Sequence, residues 1–101
     1  MAFIIQTSSV DNQRSESYLN HPSFGLLYRV CTVGDNQDIY TTLYAQRLFF
    51  LVTIGKDSFV FEPVTRNDAR LLVEKRMREL RYMTKIQEAQ ELQKINQRTF
   101  L

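Results

Sequence analysis

Residues 41–54 read TTLYAQRLFFLVTI, an aromatic and aliphatic run interrupted by Gln46 and Arg47. In an extended chain Leu48, Phe50 and Val52 fall on one face and Phe49, Leu51 and Thr53 on the other. A strand with bulky side chains on both faces is predicted to sit in the middle of a sheet. The preceding DIYTTLY alternates Ile39, Thr41 and Leu43 against Tyr40, Thr42 and Tyr44, the pattern of a strand with one wet face. Ala45 and Gln46 read as the bend, and a connection this short admits only an antiparallel neighbour. The centre of the fold is therefore predicted to be a hairpin whose bend presents Tyr44, Gln46 and Arg47. Function is expected at that polar bend.

Outward from the hairpin, YLNHPSFGLLYRVCTVGD contains a turn at His21 and Pro22, because proline pushes its predecessor toward extended geometry and cannot donate to a ladder. A strand follows from about Phe24 to Val33, with Gly25 marking a bulge or a close backbone approach. Gly34, Asp35 and Asn36 form a turn into the hairpin, and Gly55, Lys56 and Asp57 form one out of it. In SFVFEPV, Phe59 and Phe61 share a face opposite Ser58, Val60 and Glu62, and Pro63 ends the strand. Residues 1–17 start with Phe3, Ile4 and Ile5 and then turn polar, which reads as a flexible leader; an added edge strand is the alternative. Four strands joined by short turns describe a small antiparallel sheet or half-open barrel ending near residue 64.

Helical periodicity begins at Thr65, which forms a capping box with Asp68. Ala69, Leu72, Val73, Met77 and Leu80 make the apolar stripe of an amphipathic helix of about four turns. Thr84 and Gln87 repeat the capping pattern, predicting a second helix from about Lys85 to Arg98 with a sparse stripe of Ile86, Ala89, Leu92 and Ile95. So thin a stripe gains little from packing, and the last helix is expected to be weakly held.

Composition bounds the function. A chain of 101 residues with 44% hydrophobic and 24% charged content supports one domain with a core of its own. The single cysteine, Cys31, excludes an internal disulfide and a cysteine zinc cluster, and with no signal peptide or membrane-length apolar run it points to a cytoplasmic protein without a membrane partner. Residues 1–65 hold four basic and six acidic side chains and residues 66–101 hold nine and five, so the tail is basic, which reads first as a solvated helix face. The inventory for catalysis is thin. His21 before proline reads as structural or solvated, Cys31 as a small buried thiol, and Asp35, Asp38 and Asp57 as turn aspartates bonding local amides. Three glycines build no phosphate loop and no metal motif is present, so no catalytic residue, cofactor or metal is expected. Two binding readings remain open. Tyr44, Gln46 and Arg47 have the chemistry of protein-interface anchors, whereas Lys75, Arg76, Arg78, Arg81 and Lys85 would serve an RNA-binding or translation-associated small barrel.

The segments YLNHPSFGLLYRVC, TLYAQRLFFLV, FEPVTRNDARLLV and QRTFL, in order across residues 18–101, resemble the PipX family, small cyanobacterial proteins that partner the PII signalling protein and the transcription factor NtcA. The resemblance implies an α+β fold: a small, strongly bent antiparallel sheet (Tudor-like) over residues 18–64, after the leader 1–17, then a C-terminal helical hairpin over 65–101. It implies a transcriptional coactivator that stabilises NtcA when 2-oxoglutarate is plentiful and is sequestered by PII when it is low, through overlapping surfaces and without binding the metabolite itself. Carried onto this chain, the partner-binding positions are Tyr18, Phe24, Asp35, Tyr44, Gln46, Arg47, Leu48 and Phe50, with core as the equal alternative for Leu48 and Phe50. The free protein is expected to be a monomer. The helices are expected to reach RNA polymerase or other regulators, with Met77, Leu80 and Ile86 deciding whether they fold back or extend.

Overall fold

The computed structural model describes residues 3–6, 18–43 and 48–101, the first of these as backbone. Six strands, β1 (Phe3–Gln6), β2 (Tyr18–His21), β3 (Gly25–Gly34), β4 (Gln37–Thr42), β5 (Phe49–Ile54) and β6 (Ser58–Val64), precede two helices, α1 (Arg66–Tyr82) and α2 (Ile86–Phe100). Strands β2 to β6 form a curled antiparallel meander, and β1 pairs with β6 to give the order β1-β6-β5-β4-β3-β2. This is the α+β arrangement expected: a bent half-barrel sheet followed by two helices.

The strand that anchors the fold behaves as its alternation dictates. Phe49 and Leu51 face the helices with Cys31, Val33 and Ile39, whereas Phe50 and Val52 join Leu27, Tyr40, Phe59 and Phe61 in a second core on the other face. Each fully buried phenylalanine there contributes roughly 1.5–3 kcal/mol relative to exposure. Between Arg29 and Cys31 the pairing of β3 with β4 slips by one residue. That bulge turns Cys31 and Val33 toward the helices, although Leu27, at the same alternation, belongs to the opposite core.

Several sequence expectations need correction. Phe3–Gln6, read as part of a flexible leader, is an edge strand along Ser58–Phe61 of β6. Tyr18–His21 is a strand rather than the approach to a turn, too short before Pro22 to show alternation. β4 has no wet face: Asp38, Ile39, Tyr40 and Thr41 are all buried, because the second core covers Tyr40. Gly25 sits at the end of the β2–β3 hairpin with a φ of +76°, where a residue without Cβ is favoured, and not in a bulge. Pro63 does not end β6; it pairs with Phe50 beyond the stretch covered by β1, so its missing N–H breaks no bond to that edge.

α1 follows the sequence reading closely. The Asp68 amide donates to Thr65 Oγ1 at 2.9 Å, and Ala69, Val73, Met77 and Leu80 are buried against the sheet and α2. Thr84 does not cap α2. At φ 60° it terminates α1, its amide donating to the Arg81 carbonyl while the Lys85 amide donates to that of Leu80. The buried stripe of α2 is Ala89, Leu92, Asn96 and Phe100, with Ile86 exposed. α2 folds back along α1. Arg66 donates to the Thr99 carbonyl at 3.0 Å and lies over the Phe100 ring, and Phe100 meets Phe49 of the sheet at 5.2 Å between centroids.

Candidate functional site

The bend 44–47 lies outside the described residues, and with it Tyr44, Gln46 and Arg47. Its base is well defined. Leu48 returns the chain to β5, its carbonyl accepting from Thr41 Oγ1 at 2.7 Å and from the Thr42 amide at 3.3 Å. The β2–β3 turn stands at the same end of the sheet, because Leu26, one residue into β3, accepts from the Leu43 amide. Around this end the exposed apolar side chains are Tyr18 (51% exposed), Phe24 (39%) and Leu48 (45%). Phe50 is buried at 1% and supports the surface from beneath, its ring 5.2 Å from that of Phe24.

The candidate residues do not all converge. Asp35 is exposed in the β3–β4 turn, at the opposite end of six-residue β4, a separation of about 20 Å along an extended strand. Tyr18 also differs in face. It pairs with Tyr28, and through Thr41 with Phe49, so it projects from the helix-bearing side, whereas Phe24 rests on Phe50 from the other. Phe24 and Leu48, with Tyr18 at the edge, thus expose apolar surface at the end of the sheet where β4 leaves and β5 returns.

Two buried polar groups lie in the Phe50 face of the sheet. His21 is buried, and its Nδ1 accepts from the amides of Ser23 at 3.0 Å and Phe24 at 3.2 Å. Its ring touches Phe24, Phe50 and Phe61, and burial holds its pKa below the usual 6.5. Of the two expectations for His21, structural or solvated, the buried imidazole takes the structural one, and its acceptor role before Pro22 is the detail that sequence does not give. Asp38 is also buried and is not a turn aspartate: it accepts from Thr32 Oγ1 at 2.8 Å and lies 3.8 Å from Arg29. Burial pushes its carboxyl above the usual value, against the opposing pull of Thr32 and Arg29. The Cys31 thiol is pushed up to about 12, mainly by burial, and is inert.

Among the described residues no group of three His, Cys, Asp or Glu side chains could hold a metal, and no helix is long and apolar enough to cross a membrane. A bent sheet with apolar side chains exposed at one end, backed by a helical hairpin, has the chemistry of a surface that another protein could cover. Residues 15–100 match the family PipX, PII-interacting protein X, and the chain belongs to that family. It is therefore a PII-interacting regulatory protein. No curated protein matches the chain.

Proposed function

We propose that this protein is a non-enzymatic transcriptional coactivator that passes between the PII signalling protein and the nitrogen regulator NtcA. PII holds it when 2-oxoglutarate is scarce; NtcA takes it, and is stabilised in its active form, when 2-oxoglutarate is plentiful. The observation that carries this reading is the family match combined with the exposed Tyr18, Phe24 and Leu48 at the end of the sheet where β4 leaves and β5 returns. Competing partners on one end of the sheet exclude each other, so exchange follows by mass action. The metabolite acts through its differential affinity for states of the two partners, and this chain needs no pocket for it.

The test is capture of the purified protein by PII and by NtcA, each with and without 2-oxoglutarate. Retention by PII only without the metabolite, and by NtcA more strongly with it, is expected; failure in all four conditions overturns the reading. Arg47→Ala is expected to weaken capture by at least one partner about tenfold or more while leaving the circular dichroism unchanged. Unchanged affinity for both removes Arg47 from the surface. Asp35→Ala separates the two ends of the sheet: a loss for one partner alone would show that the surfaces overlap only in part.

A further inference from the structure

We infer that His21 is a positioning residue for partner capture, and that a proton on its imidazole releases the turn presenting Phe24. The inference rests on the proposed docking end of the sheet. Its geometry stands apart from that reading: Nδ1 takes both the Ser23 and Phe24 amides, at 3.0 and 3.2 Å, and the ring packs 4.9 Å from that of Phe24. An acceptor at i receiving the amides of i+2 and i+3 is what an asparagine or aspartate supplies in an Asx turn, and here the imidazole takes that place.

A ring nitrogen that accepts two hydrogen bonds carries no proton, so His21 is the neutral tautomer with its hydrogen on Nε2. Imidazolium bears a hydrogen on both nitrogens. Protonation therefore turns Nδ1 from acceptor to donor, removes both bonds and sets an N–H against two amide N–H groups. Nothing in the turn compensates, and Phe24 loses its fixed place over Phe50.

Among the described residues, Phe24 from the turn, Phe50 from β5 and Phe61 from β6 pack on the ring, and none of these three titrates. By register, the titratable side chains on the same face are Arg29, Asp38 and Tyr40; Arg29 and Asp38 engage each other at 3.8 Å and Tyr40 lies opposite Phe50. Burial lowers the His21 pKa, so the neutral form holds at neutral pH and acidification is the signal. Partner capture should then fall with pH in a way that a non-titrating acceptor at this position would not show.

The experiment compares wild type, His21→Asn and His21→Phe for PII binding by calorimetry between pH 5 and pH 8 (roughly the window in which histidine titrates), with amide spectra of the free proteins over the same range. His21→Asn keeps an acceptor atom in place of Nδ1 and is expected to bind within about threefold of wild type at neutral pH. Wild-type affinity is expected to fall about tenfold more on acidification than that of His21→Asn, the scale set by two lost neutral hydrogen bonds. His21→Phe keeps the ring but not the acceptor, and is expected to be weak at every pH. Identical pH profiles for wild type and His21→Asn overturn the inference. So do Ser23 and Phe24 amide signals that ignore the His21 titration in the free wild-type protein, a readout that holds whether or not either variant folds. If Phe24→Ala binds PII as tightly as wild type, the docking surface is misplaced, whereas the two amide signals still decide the positioning role.

Discussion

At the scale of single residues, His21 also links stability to pH. Its folded pKa lies below the ordinary 6.5, so the unfolded chain binds the proton more readily. The stabilisation is complete above about pH 6.5 and is lost as pH falls through the folded value. Urea denaturation of wild type should therefore show a midpoint that drops below pH 6.5, and the drop should shrink in His21→Asn. Asp38 works in the opposite sense. Its raised pKa makes the charged form the costly one, so its contribution weakens as pH rises above the usual carboxylate range. Gly25 belongs beside His21: at φ +76° it closes the hairpin whose first bend the imidazole holds, and a Cβ there would meet open space but an unfavourable backbone conformation.

Among the elements, the two helices differ in how they are held. α1 opens on a satisfied cap and buries four side chains, with Arg70–Glu74 and Arg76–Glu79 pairs along its surface. α2 has no side-chain cap and places Asn96 in its buried stripe, where Oδ1 accepts no hydrogen bond. Asn96→Leu is expected to raise the free energy of unfolding by about 1 kcal/mol, since it replaces an unsatisfied polar atom by an apolar side chain of the same branching in an apolar stripe. A denaturation midpoint equal to or below that of wild type would refute this. The same contrast explains what was legible in the sequence. The stripe of α1 and the double-faced run around Phe49 and Phe50 announced themselves because many apolar residues shared one period. In α2 the stripe passes through Asn96 and ends on Phe100, so apolar periodicity alone points to Ile86, which is exposed, although Ile95 does pack against the core. Thr84 looked like a cap because its type fits one; only the backbone shows that it closes the preceding helix at positive φ. At the candidate site, the register that joins Phe24 to Phe50 and sends Asp35 to the far end of β4 is a long-range property that no local pattern encodes.

Over the whole molecule, one sheet separates two cores, and only one of them depends on the helices. Local opening is accordingly expected to be unequal. Amides of α2 should exchange with solvent through an opening that leaves β4, β5 and α1 intact, and uniform protection across all of these would overturn this. β1 adds a constraint of a different kind. It runs along Ser58–Phe61, the part of β6 in which Phe59 and Phe61 alternate with Ser58 and Val60. Those four backbone positions would otherwise form an open sheet border, the sort of template on which chains stack into aggregates. Residues 3–6 precede the stretch matched to the family, so this protection against self-association is supplied from outside the shared region. A recombinant version trimmed to the family boundary would keep the proposed docking end of the sheet and yet be the more prone to precipitate.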